Sequence, residues 1–139
     1  MRRRLRKILF LLILLSACAS GEIQPVPFEA SDMCSLCKMA ISEKRFAAEI
    51  ITENEEVLKF DDIGCLLRYR QKAENQPETA AVFFVDYETQ NWIKADNAFF
   101  VKSGTIKTPM GSGIVAFADK AKAGNESLRF DELKPRSRH

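Results

Sequence analysis

The stretch FDDIGCLLRYRQKAENQ, from Phe60 to Gln76, carries a helix with both of its ends marked. Asp61 and Asp62 stand where an N-cap belongs, and Ile63, Leu66, Leu67 and Tyr69 or Arg70 follow at helical spacing. The pattern predicts a helix from Asp62 to Ala73. Pro77 stops it, because proline lacks the N–H and its ring clashes with the preceding turn. The text around the helix reads as strands. FAAEII and VLKF flank the polar connection TENEE and predict a β-hairpin. AVFFVDY and AFFVKS predict further strands, Trp92 and Ile93 begin another element, and SLRF is a last short one. IVAFA is a strand that runs into a short helix closed by Gly124 and Asn125, and GTIKTPMGSG is loop. The order strand-strand-helix-strand, loosely repeated, argues for an α+β fold. The chain carries no glycine-rich nucleotide fingerprint, Walker sequence or serine-nucleophile elbow.

The ends of the chain are of a different kind. MRRRLRKILFLLILLSA, residues 1–17, joins five positive charges to a short apolar run and small residues, the layout of a secretory signal peptide. The run is too short for an ordinary membrane-spanning helix. Leu15-Ser16-Ala17-Cys18 resembles the bacterial lipobox, in which the cysteine is lipidated and becomes the new N-terminus. Ala19 in place of an aspartate points to the outer membrane in a Gram-negative cell. Residues 18–30, with Pro25 and Pro27, read as a lipidated tether, residues 31–133 as one folded domain, and residues 134–139 as a disordered basic tail. Removing five of the 21 basic residues with the leader leaves 16 against 19 acidic ones, a net of −3. The positive balance of the whole sequence belongs to targeting and is no argument for nucleic acid.

Three cysteines remain in the exported part, Cys34, Cys37 and Cys65, and an odd count leaves one thiol unpaired however the others bridge. In CSLCKMAI, Cys34 and Cys37 have the spacing of a redox pair, a staple or a metal site. Read as extended chain from Cys37 to Ile41, Cys37 and Met39 point to one face, with Lys38 opposite. Thiolate and thioether are the soft ligands that select Cu(I) over harder cations. Met110 lies in TPMGSG, a poor place to bury a core filler and a good one for close backbone approach. Cys65, in the first helical turn, is either a small core residue or a thiol lowered by the helix dipole, with the two aspartates pushing the other way. For the pair Asp61-Asp62, helix capping outweighs acid–base work or the binding of a hard metal. Trp92 reads as core.

CSLCKMAIS, FAAEI, KFDDIGCLLRY, NAFFVKSG and TPMGSGIVAFAD, in this order, resemble the NosL family of copper-binding lipoproteins, which assist maturation of nitrous-oxide reductase. The resemblance spans about Met33 to Gly124. It implies two small ββαβ units with short antiparallel sheets, similar to the accessory domain of organomercury lyase. It implies a carrier rather than an enzyme: a Cu(I) chaperone facing the periplasm, anchored to a bacterial membrane through lipid on Cys18. The chaperone would hand copper to nitrous-oxide reductase or a similar copper enzyme through a membrane transporter complex. The family's C-x-M motif and later methionine correspond to Cys37, Met39 and Met110. Many members have C-G-M, where this chain has Lys38. Cys34 and Cys65 stand as further metal ligands or as a disulfide bracing the site. The competing reading of the same residues is a periplasmic thiol-disulfide oxidoreductase built on Cys34 and Cys37. Such motifs open a helix in a βαβ setting, and no long helix follows here.

Overall fold

The computed structural model describes residues 21–72 and 76–134. The expected signal peptide, Cys18, Ala73 at the expected helix end, and the last five residues lie outside them. Six strands and two helices form the described chain: β1 (Ala48–Thr52), β2 (Val57–Phe60), α1 (Ile63–Gln71), β3 (Thr79–Val85), β4 (Trp92–Lys94), β5 (Phe99–Lys102), β6 (Ile114–Phe117) and α2 (Lys120–Ala123). An antiparallel sheet of order β2-β1-β3-β4 lies beside a two-stranded antiparallel ribbon of β5 and β6. The expected hairpin is β1-β2, with Ala48 opposite Phe60 and Ile51 opposite Val57.

The loose repeat is visible in the pairing. In the first unit the chain makes β1, β2 and α1, then returns as β3 beside β1. In the second it makes β5, β6 and α2, and then Leu128 returns beside Phe100 of β5. Each residue of that pair accepts the other's N–H, at 2.9 and 2.8 Å. The expected last strand SLRF is therefore a single bridge, too short for more. The α+β expectation of two ββαβ-like units holds in this form.

Alternation sorts the central strands between two faces. Ala48, Ile50, Val82 and Phe84 face α1, where Ile63, Leu66 and Leu67 meet Phe100, Ile114 and Ala116 of the ribbon in one buried core. Phe84 sits edge-on to Phe100, with ring centroids 4.7 Å apart. Ile51, Ala81 and Phe83 face the other way, toward Trp92. That second face is covered by chain expected to be tether. Phe28 is buried and stacks on Trp92 at 5.0 Å. The Val26 N–H donates to the buried Glu49 carboxylate at 2.9 Å, and Lys44 and Lys59 donate to the Phe28 and Pro27 carbonyls. The folded body thus begins near Pro25 rather than at residue 31, because strands apolar on both faces need a cover on each.

Asp86, just past β3, ties the two units. It forms a parallel bridge with Ala116 of β6. Its carboxylate accepts the N–H groups of Thr89 at 2.7 Å, Glu88 at 3.0 Å and Ala118 at 2.7 Å. Burial alone would raise its pKa, but the bonds from Thr89 and Ala118 prevail and hold it below the ordinary carboxylate value. Asp86→Ala should cost about 3 kcal/mol, the scale of losing hydrogen bonds to a charged group. A carboxyl depressed in the fold stabilises above its unfolded pKa and loses that contribution as pH falls through the folded one. Denaturant melts should therefore show the wild-type losing stability into acid more steeply than Asp86→Ala.

Candidate metal centre

Three segments build the site: the loop carrying Cys34 and Cys37, the start of α1, and the loop carrying Met110. The first is not the extended run that the sequence suggests. Met33 pairs with Ala40, Cys34 donates its N–H to the Met39 carbonyl at 2.8 Å, and Lys38 donates to the Cys34 carbonyl at 3.0 Å. The chain reverses inside CSLCKM, and Lys38 sits at φ +64. Cys37 and Met39 therefore flank a turn and do not share a strand face. A backbone at positive φ carries no steric penalty for glycine, so Lys38 occupies a position that glycine would take without strain. The loop is fixed to the edge of β2: Ser35 donates its N–H to the Lys59 carbonyl at 2.7 Å, and Lys59 pairs with Asp32 at 2.6 Å. The Lys59 ammonium holds the Asp32 carboxyl below its usual range.

The start of α1 divides the labour between its two aspartates. Asp62 is the N-cap, with its Oδ1 accepting the Gly64 N–H at 2.6 Å. Its Oδ2 accepts the Thr108 hydroxyl at 2.6 Å and the Met110 N–H at 2.8 Å, and so fastens the TPMGSG loop over the helix end. Two glycines permit that approach. A Cβ on Gly64 would come within 2.5 Å of the Ser112 Cβ. One on Gly113, at φ +68, would meet the Ser103 carbonyl oxygen at 2.1 Å.

Asp61 takes the other role. Its carboxylate and the sulfurs of Cys34, Cys37 and Cys65 all lie within 4.8 Å of one another. Cys37 Sγ is 3.5 Å from Asp61 Oδ1, and the Arg68 guanidinium donates to Cys65 Sγ at 3.2 Å. Cys34 and Cys65 are fully buried, Asp61 nearly so, and Cys37 is half-buried. Cys37 opens into a cleft of about 400 Å³ that it lines with Leu36, Arg68, Lys72 and Met110. Met39 is 59% exposed on the surface. Of the five residues expected as ligands, the fold gathers the three thiols and puts Met110 in the same cleft as Cys37. Met39 lies outward of that group. All three thiols are free.

The electrostatics follow from packing. A hydrogen bond from Cys65, with help from the backbone N–H groups of Cys37 and Asp61, lowers the pKa of Cys34. That same bond, then burial, raises Cys65, so the lowering expected from the helix dipole is overridden. Burial raises Cys37. Burial, then the neighbouring Cys34, lifts the Asp61 carboxyl to about 6. From sequence, a metal role for the aspartate pair ranks below capping, and Asp61 is not separated from Asp62. Two adjacent aspartates at a helix start look like one cap, and only the residue not needed as cap is free to turn toward the sulfurs.

The fold and this cluster define an α+β domain that collects thiols and a carboxylate around one point, the donor set of a metal-binding protein. The chain belongs to the NosL family, whose sequence model matches residues 25–133. It is 28% identical to the copper-binding lipoprotein NosL of Stutzerimonas stutzeri over 139 residues, covering 86% of this chain and 73% of that one. The crystal structure of the copper chaperone NosL from Shewanella denitrificans shares its fold, with a TM-score of 0.71 at 24% identity over 82% of this chain and 98% of that one.

Lys38→Gly should raise unfolding stability by about 1 kcal/mol, by relieving a left-handed residue. The metal-free protein should also show the raised Asp61 directly. From the ordinary 3.8 up to about 6 the folded chain binds the proton more tightly than the unfolded chain. Stability therefore falls as pH rises through that window. Asp61→Asn should flatten the fall, as read from chemical denaturation between pH 4 and pH 7.

Proposed function

We propose that this protein is a Cu(I) chaperone, exported and held at a bacterial membrane by lipid on Cys18. The observation that carries the reading is the meeting of Cys37 and Met110 in one open cleft, with two further thiols directly behind Cys37. Thiolate and thioether sulfur suit Cu(I) and are poor ligands for the hard cations. Cys37, Met110 and Met39 supply the family's ligand set, and Cys34 and Cys65 stand ready to complete it. The printed names of the relatives, a copper-binding lipoprotein and a copper chaperone, support the same cargo.

Transfer follows from the unequal exposure of the donors. Cu(I) held at Cys37 with thioether partners has an incomplete shell on the cleft side. A client's soft ligand enters there, forms a bond to the metal as Met110 or Met39 leaves, and draws Cu(I) off by associative exchange. Arg68 and Lys72 on the cleft wall favour a partner that presents acidic residues around its own ligands. The client is nitrous-oxide reductase or a similar copper enzyme, reached through a membrane transporter complex. An oxidoreductase built on Cys34 and Cys37 has less support. Those residues lie in a tight turn, and the helix that starts beside them carries Cys65 instead.

The test is competition for Cu(I) between the reduced full-length chain in mild detergent and a chromophoric chelator. Cys37→Ser combined with Met110→Ala should weaken binding beyond the roughly 10–100-fold typical of losing an outer-shell partner. An affinity equal to wild-type in that double variant, with the fold intact by circular dichroism, would remove Cys37 and Met110 as ligands.

A further inference from the structure

Residues 25–28 cross the outer face of the sheet without joining it. Among the described residues, no backbone-to-backbone hydrogen bond holds them. Pro25 and Pro27 have no N–H to give a neighbouring strand. Side chains hold this strap instead. The Glu49 carboxylate accepts the Val26 N–H at 2.9 Å, and the ammonium groups of Lys59 and Lys44 donate to the Pro27 and Phe28 carbonyls at 3.0 and 3.1 Å. The Phe28 ring lies on Trp92. Glu49 is fully buried, and its second oxygen, Oε2, has no hydrogen-bond partner among the described residues. Copper transfer makes no use of it. We propose that residues 25–28 are a proton-controlled latch, seated while Glu49 is neutral and lifted when Glu49 ionises.

A buried anion with a bare oxygen is far more costly than a neutral carboxyl in the same place. Ionised Glu49 therefore needs water at Oε2. It stands on β1, which has β2 on one side and β3 on the other, so water reaches it from the strap side. The strap can admit it, because a segment with no ladder of its own opens locally at less cost than the sheet beneath. The proton leaves to solvent and water takes the place of the Val26 N–H.

The groups around Glu49 do not supply the missing partner. On β2 its register partner is Lys59, whose ammonium is engaged by the Asp32 carboxylate at 2.6 Å and by the Pro27 carbonyl. On β3 its partner is the apolar Phe83, with Lys94 of β4 one strand further. Lys44, in the short turn before β1, is spent on the Phe28 carbonyl. Glu22 and Glu29, on either side of the strap, are exposed. Burial, opposed by the Val26 N–H and Lys59 and aided by Asp32, holds Glu49 above the ordinary 4.5. The seated state thus binds the proton more tightly than the lifted one. Glu49's contribution to the seat is full below the ordinary value and is lost as pH rises through the seated one. Lifting frees up to about 14 Å of chain. In the membrane-anchored reading above, that length extends the reach of the cleft from the bilayer. This consequence rests on the lipid anchor, and the latch itself does not.

NMR of the isotope-labelled full-length chain, reduced, metal-free and in mild detergent, tests the latch. In a titration from about pH 4 to about pH 8, the Glu49 carboxyl carbon should shift with a midpoint above 4.5. Protection of the Val26 amide, corrected for base catalysis of exchange, should fall with the same midpoint. The amides of Ile50 and Phe84 should stay protected, which separates lifting of the strap from unfolding. Glu49→Gln, neutral throughout, should make Val26 protection independent of pH. Phe28→Ala loosens the strap without touching the carboxyl, and should return the Glu49 midpoint toward 4.5. A wild-type midpoint at the ordinary value would overturn the proposal. So would Val26 protection that ignores Glu49's charge, a Glu49→Gln chain that keeps the wild-type pH dependence, or a Phe28→Ala chain whose midpoint stays raised. Neither readout involves copper or the lipid, so their failure would leave the copper reading standing.

Discussion

The Asp62 carboxylate, fully buried at the start of α1, accepts the Gly64 N–H on one oxygen and the Thr108 hydroxyl and Met110 N–H on the other. The first bond starts the helix, and so fixes where Cys65 and Arg68 project. The other two bring a loop 46 and 48 positions away in sequence onto the same helix end. Charge-assisted bonds of this kind are short and directional, so the three attachments move together. Without them nothing would hold the loop that carries Met110 at the helix end that carries Cys65. Gly64 is the necessary complement, because any side chain there would strike Ser112 and hold the loop off.

The elements that carry their own signature were legible in the sequence. The hairpin β1-β2, the helix from its aspartate cap, and the strands of AVFFVDY, AFFVKS and IVAFA all appear where alternation and capping put them. Their patterns are local, and packing only confirmed them. The misreadings have long-range causes. Cys37-Lys38-Met39 looks like strand text, but pairing of Met33 with Ala40 closes it into a turn, at the expense of a lysine at positive φ. The stretch with Pro25 and Pro27 looks like linker, but two-faced strands elsewhere recruit Phe28 as their cover.

The site was legible as a set of residue types more than as a geometry. The three cysteines and Met110 were marked by their chemistry, and nothing in spacing alone brings Cys65 to Cys34 across a strand and a turn. Asp61 was hidden by Asp62. For Cys65 the helix dipole was weighed only against the two aspartates, and its strongest neighbour is the Cys34 thiol. Once Cys34 is beside it, the pair shares protons, and the residue receiving the hydrogen bond is the one that ionises first.

The chain has a single tryptophan, and its ring lies against Phe28 on the side of the sheet turned away from the thiols. Indole emission therefore watches the seam between the N-terminal strap and the sheet. Among the described residues that ring packs against Phe28 and Phe83, not against the cysteine cluster. A fluorescence change that accompanies loading would report a change at this seam, a mechanical link from the cysteine cluster to the N-terminal strap.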